Sequence, residues 1–273
     1  MWFCTLYQLR TRLPFDCELH AHGNERRAAL EHLPLLAAAD IVVYDRGYYS
    51  HQLLRAHLRR GLHPVFRLQR NANPVFDAFI AADCAERTVE VAPPSGTPGP
   101  PCRVRLVRYT AGGTTFFLAT TLLDRKRYRR QDLAKLYHAR WGIEEHYKTA
   151  KKDLCLEQFR GRSERLVRQE LYANCTLITL TRLFANRSEG DARAAPDGHG
   201  RPGQQTNFRH ALRTVARHVE GLFLRHAALV RDTVQHILDG LAVCHPRRRP
   251  RRSYPRRSRK PVNKWRQRKA TAT

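Results

Sequence analysis

The chain has 273 residues, with 50 Lys and Arg against 24 Asp and Glu and a formal charge of +26. The length suits one large domain, or a domain with an appendage, and is enough to bury a core without disulfides; 42% hydrophobic content is globular rather than disordered. The charge points to a polyanionic partner, usually nucleic acid, and no apolar run approaches the ~18 residues of a membrane span.

Seven cysteines without a CxxC pair argue against a zinc ribbon or a dithiol redox site and read as reduced, cytosolic cysteine. No signal-peptide pattern opens the chain. The basic residues are mostly Arg, a bias that phosphate contacts and a GC-rich genome explain equally well. In chain order, residues 2–10 read as a strand, Pro14 as a turn and 15–19 as a second strand. Asn24 caps a helix expected over 25–38. The run from Asp40 to Asp45 is continuously apolar between its ends, as in a strand buried on both faces. Ser50 caps a helix to about Arg60, and 63–68 is a further strand. This alternation predicts an α/β sheet with helices on its faces, spanning 1–69. Over 70–123, strands at 88–91, 103–109 and 115–123 alternate with Pro- and Gly-rich turns and predict a β-rich insertion. Helices are expected over 130–153 and 163–186, within a unit at 124–186. A polar linker over 187–206 leads to helices at 207–219 and 225–242, in a helical C-terminal region at 207–245. The tail, 246–273, is basic: 13 Lys and Arg and no acid between Pro246 and Lys269. It is expected to be disordered until it meets nucleic acid.

Asp45 ends a strand and is followed by Arg46-Gly47 and a helix. Active sites of open α/β sheets gather at the carboxyl ends of strands, where a carboxylate can hold a metal; the plain alternative is a turn Asp bonding nearby backbone N–H groups. In the long helix, Tyr137, Arg140, Glu144 and Lys151 are spaced 3, 4 and 7 and fall within an arc of about 60° at ~100° per residue. Leu136, Ile143, Tyr147 and Leu154 form the apolar stripe beside them. Glu144 therefore borders the core between cations, able to ligate Mg²⁺, whereas Glu145 lies about 100° away; a solvated face with a Glu144–Lys148 pair is the alternative. Trp141 lies next to this row, placed to stack on a base or to pack against the sheet. The histidines show no ligand spacing for zinc.

The stretch from Leu136 to Lys151, with Tyr137, Arg140, Glu144 and Lys151 at every interval of a Tyr-x2-Arg-x3-Glu-x6-Lys signature, resembles a group of bacterial insertion-sequence DDE transposases. The block from Ile41 to Tyr48 (IVVYDRGY) resembles the segment that carries their second catalytic Asp. The resemblance covers about residues 1–186. It implies an RNase H-like core with a β-rich insertion and a helical C-terminal region. Asp45 and Glu144 would be catalytic and would hold Mg²⁺ (or Mn²⁺) for phosphoryl transfer at insertion-sequence ends. Tyr137, Arg140 and Lys151, with Arg46 and Trp141, would contact DNA. Partners would be double-stranded transposon ends and target DNA, with a homodimer or a mixed dimer with full-length transposase, and no membrane; the location would be the bacterial cytoplasm and nucleoid.

One departure carries consequences. The family's first catalytic Asp sits on a leading central strand, yet Asp16 follows the Pro14 turn, and Asp40 lies ~16 Å from Asp45 along one strand at ~3.3 Å per residue. The first strand and its acid are therefore expected to be missing, as in an N-terminally truncated copy whose Met1 is an internal codon. Such a chain alone is expected to be inactive. The alternative is a DNA-binding fragment that inhibits full-length transposase, and a third reading is a general basic nucleic-acid-binding protein.

Overall fold

A computed structural model describes residues 2–20, 23–154, 159–194, 205–223 and 226–243. The chain opens with an antiparallel hairpin of β1 (Trp2–Gln8) and β2 (Leu13–His20). The chain reverses over residues 9–12, where Arg12 takes a φ of 60°, and not at Pro14 as the sequence suggests. Pro14 lies inside β2 at a bulge: Leu6 faces Asp16 and Tyr7 faces Pro14, leaving Phe15 unopposed and 59% exposed. A bulge is where a strand accepts a residue with no N–H to donate.

Helix α1 (Glu25–His32) starts where expected, its Asn24 side chain accepting from the Arg27 N–H at 3.0 Å. It ends early, passing into a 3-10 turn at Leu33–Leu35, because Pro34 lacks the N–H that an α-helix needs. β3 (Ile41–Tyr44), α2 (His51–Arg59) and β4 (His63–Arg67) follow close to their predicted bounds. Ser50 Oγ caps α2 by accepting from Leu53 N–H at 3.1 Å. α3 (Pro74–Ala81) was not anticipated, although Asn73-Pro74 is a start signal: Asn73 accepts from Val75 N–H, and Pro74 occupies the first turn.

β5 (Glu86–Val91), β6 (Cys102–Ala111) and β7 (Thr114–Thr120) are antiparallel neighbours, as their alternation implied. They do not form a sheet of their own. β7 pairs antiparallel with β4, Val65 opposite Thr120, so one mixed sheet runs in the order β3-β4-β7-β6-β5, with β3 parallel to β4. β3 is therefore an edge strand, and Ile41 is 38% exposed, against the expectation of burial on both faces. Alternate residues of the sheet feed two cores. Phe66, Leu106 and Val104 pack with Leu53, Leu54, Phe76 and Phe79 on one face, and Val65, Val107 and Leu118 pack with Leu133 and Tyr137 on the other.

The long helix expected over 130–153 is two, α4 (Arg130–Ala139) and α5 (Trp141–Asp153). At the break Arg140 N–H bonds Tyr137 C=O, and Arg140 C=O accepts from Ile143 N–H, a tighter i,i+3 pattern. α6 (Glu164–Ala194) runs unbroken through the start of the predicted linker. Its flank carries Val167, Leu171 and Cys175 against Leu19 of the hairpin. α7 (Phe208–Leu222) and α8 (Ala227–Ala242) pack on α6 through Ala211, Val215, Ile237 and Leu241. The rest of the predicted linker and the basic tail lie outside the described residues. Among those described, no helix is long and apolar enough to cross a membrane.

Candidate active site at the end of the parallel strand pair

Asp45 sits one residue past β3, where Gly47 at φ +89° allows the turn that leads into α2. The Gly47 carbonyl accepts from Arg26 Nε at 2.7 Å and fixes that turn. The β3–β4 register puts Tyr44 beside Phe66, so Asp45 and Arg67 leave the sheet side by side. Arg67 Nη1 stands 3.6 Å from Asp45 Oδ1, its guanidinium lying 4.9 Å from the Phe116 ring centroid.

α4 supplies the next layer. Tyr137 is fully buried, and its hydroxyl donates to Asp45 Oδ1 at 2.9 Å. Its ring is thereby committed to the core and its hydroxyl to the carboxylate. At the break between helices, Arg140 Nη2 lies 3.5 Å from Asp45 Oδ2 and 2.9 Å from Glu144 Oε1. Since one nitrogen serves both, the two carboxylate oxygens stand no more than 6.4 Å apart. Burial pushes the Asp45 carboxyl upward, but the Arg46 backbone N–H, the Tyr137 hydroxyl and the Arg140 and Arg67 charges outweigh it and hold the group below its ordinary value. Burial raises Tyr137, and the hydrogen bond to Asp45 adds to that rise, so its proton stays on the phenol.

The structure thus brings together Asp45, Tyr137, Arg140 and Glu144, which lie up to 99 positions apart in the chain. Arg46 is exposed beside Asp45, and Trp141 is 57% exposed rather than packed against the sheet. Lys151 is exposed two turns further along α5. Arg67 was missed by the sequence reading; its signal is a charged residue at the carboxyl end of the strand next to β3.

The donor set has the hard oxygens that Mg²⁺ takes, but as arranged it does not fit a two-metal centre. Arg140 already stands between the two carboxylates, which belong to no group of three ligand atoms among the described residues. Such groups occur elsewhere: Asp16, Glu18 and His32, and Glu18, His20 and Glu31. The sequence did carry this signal, as Asp16, Glu18 and His20 recur every second residue and share one face of β2. His32 Nδ1 bonds Asp16 Oδ2 at 2.9 Å, and His20 Nε2 lies 3.2 Å from Glu18.

Residues 3–180 match the family model described as a transposase DDE domain. The chain belongs to that family. No curated protein matches it. Among solved structures, it is similar to the piggyBac transposase in a cryo-EM synaptic complex with hairpin DNA, at 12% identity and a TM-score of 0.47. The alignment covers 92% of this chain and 52% of that one, so the chain spans about half the length of that transposase. The DDE family includes DNA-cutting and DNA-joining enzymes that use divalent metals, which agrees with the resemblance drawn from the Asp45 block and the helix at 137–151.

Proposed function

We propose that this chain is a DNA-binding transposase core of the bacterial insertion-sequence type, with an RNase H-like sheet, whose own acidic set is incomplete. The observation that carries the reading is the meeting of Asp45 and Glu144 across one nitrogen of Arg140, within the segment that matches the transposase family. In the complete reaction, Mg²⁺ supplies charge stabilisation and an activated oxygen nucleophile at the phosphodiester. Here Tyr137 and Arg67 position Asp45, and Arg140 neutralises the Asp45–Glu144 pair. Arg46, Trp141 and Lys151 are exposed and serve the DNA backbone and bases.

Among the described residues no third acid joins Asp45 and Glu144 within ligand reach, which supports a chain that binds DNA but does not cut it alone. The net charge of +26 favours the second reading as well: such a chain can occupy transposon ends, or join mixed dimers, and lower the activity of a complete transposase. The deciding experiment titrates labelled duplex with the purified chain at several salt concentrations and assays nicking of supercoiled plasmid in Mg²⁺. Salt-sensitive binding without nicking is expected. Nicking abolished by Glu144→Gln would overturn the inactive reading, and duplex binding indifferent to salt would overturn the DNA-binding one.

A further inference from the structure

β2 carries Asp16, Glu18 and His20 on one face and Cys17 and Leu19 on the other, because successive side chains of a strand alternate. The second face packs on α6, with Cys17 and Leu19 beside Leu171 and Cys175. The first face meets the end of α1. There His32 Nδ1 stands 2.9 Å from Asp16 Oδ2, and one ligand atom each of Asp16, Glu18 and His32 lies within 4.8 Å of the others. His32 is buried, its side chain only 5% exposed, and its Nε2 has no hydrogen-bond partner among the described residues. Buried polar atoms are normally paired, and a bound ion is one of the few reasons for an exception. The carboxylates are also short of cations. In a chain of +26, neither Asp16 nor Glu18 pairs with a Lys or Arg among the described residues; their ion pairs are with His32 and His20. Asp45, Glu86 and Glu189, by contrast, each meet an arginine.

We infer that Asp16, Glu18 and His32 form a zinc site that fastens the hairpin to α1. The donor set selects the ion. One imidazole nitrogen with two carboxylates suits Zn²⁺, which takes nitrogen and oxygen at about 2.0–2.2 Å, whereas Mg²⁺ and Ca²⁺ take oxygen. Two atoms sharing such an ion stand about 2.9–3.4 Å apart, and the His32–Asp16 separation already falls there. Asp16 and Glu18 are part-exposed, which gives the ion a path in and Glu18 room to swing closer. The fourth position falls to water, as where three side chains hold zinc. His20 Nε2, 3.2 Å from Glu18 Oε2, stands where an outer partner of that ligand belongs. The neighbouring group of Glu18, His20 and Glu31 is the poorer cage, since Glu31 is exposed and paired with Arg27 at 3.0 Å. The histidine spacing carried no zinc signal because His32 and its carboxylates belong to different elements. α1 also carries Arg26, whose Nε holds the Gly47 carbonyl at the turn after Asp45. Zinc that fixes α1 on the hairpin therefore steadies the candidate active site without entering it, and neither Asp45 nor Glu144 belongs to the zinc group.

The test uses the full chain, stripped with a chelator and titrated with Zn²⁺ against a chromophoric competitor. One equivalent should bind, and a large excess of Mg²⁺ should not displace it. Asp16→Asn and Glu18→Gln, which keep the size of each side chain, should each weaken that binding about tenfold or more; Glu31→Gln should leave it unchanged. Zn²⁺ should raise the Tm of the parent chain and of Glu31→Gln, and not that of the two ligand variants. Co²⁺ in place of zinc gives a readout that needs no variant: the visible bands of a nitrogen- and oxygen-ligated ion, without the near-ultraviolet thiolate-to-metal band. Absence of Zn²⁺ binding, binding that both ligand variants retain, loss with Glu31→Gln but not with Asp16→Asn, or a thiolate band would each overturn the site.

Discussion

The five-stranded sheet and the N-terminal hairpin solve the same problem to different degrees. In the sheet, four of the five strands have their hydrogen-bonding edges met by neighbours or lie far from the site, and helices cover both faces. Its buried arginine is held from two sides, with Arg105 reaching Glu86 at 2.8 Å and the Leu122 and Tyr128 carbonyls. The hairpin has one pair of strands, leans on α6 through Leu19 and on α5 through Phe3 and Tyr7, and faces β3 across a cleft. The carboxylates of the candidate site lie at this boundary. Stability should therefore reside in the sheet, while the geometry of the site should depend on how the hairpin, β3 and the broken helix meet.

The largest effect that tests this contrast is in the sheet. Phe66 is buried against Tyr44 and Tyr49, and Phe66→Ala should cost about 3–5 kcal/mol in urea unfolding. Phe3→Ala in the less buried hairpin should cost about 1–2 kcal/mol; equal losses would erase the distinction. Next comes pH. Burial holds His146, which packs beside Tyr7, down at about 4. The unfolded chain takes up that proton near 6.5, so stability should be flat above this value and fall by about 3 kcal/mol as pH drops toward 4. His146→Phe should remove that slope while leaving stability at pH 7 within about 1.5 kcal/mol.

A smaller effect is expected at the boundary itself. Tyr137→Phe removes the hydroxyl that donates to Asp45 and should cost about 1–2 kcal/mol. Because the folded Asp45 carboxyl lies below its unfolded value, its contribution is present above about pH 3.9 and is lost as pH falls through the folded value. The substitution should raise that folded value and narrow the window, visible as a shifted carboxyl titration by NMR; an unshifted curve would remove Tyr137 from its positioning role. The smallest stability effect belongs to Trp141, exposed on α5. Trp141→Ala should change unfolding by less than about 0.5 kcal/mol, yet weaken binding of single-stranded or frayed duplex ends by about 1–3 kcal/mol.

Much of the local structure was legible because its causes are local. Asn24, Ser50 and the alternating strands announced their elements, and the spacing of Tyr137, Arg140 and Glu144 correctly placed them near one another. The failures have equally specific causes. Pro14 signals a turn in sequence, but the hairpin absorbs it in a bulge. The arc drawn through 137–151 assumed an unbroken helix, whereas the chain tightens at Arg140 and turns that side chain between two carboxylates. Tyr137 also supports Asp45 from within the core, a contact that spacing along one helix does not reveal. The alternation of Asp16, Glu18 and His20 was visible in the sequence, but that His32 of α1 meets it, and that Arg67 stands beside Asp45, depend on which face of β2 meets α1 and on strand register.

The sequence by itself determined the transposase resemblance, the polyanion-seeking charge and most element boundaries, because spacing, caps and composition act over a few residues. Only the tertiary structure decided that β5, β6 and β7 continue the same sheet as β3 and β4, that β3 is an edge, and that an open cleft separates it from β1. Those outcomes depend on hydrogen bonds between strands far apart in the chain, and a strand's residues are the same whether its second edge finds a partner or not.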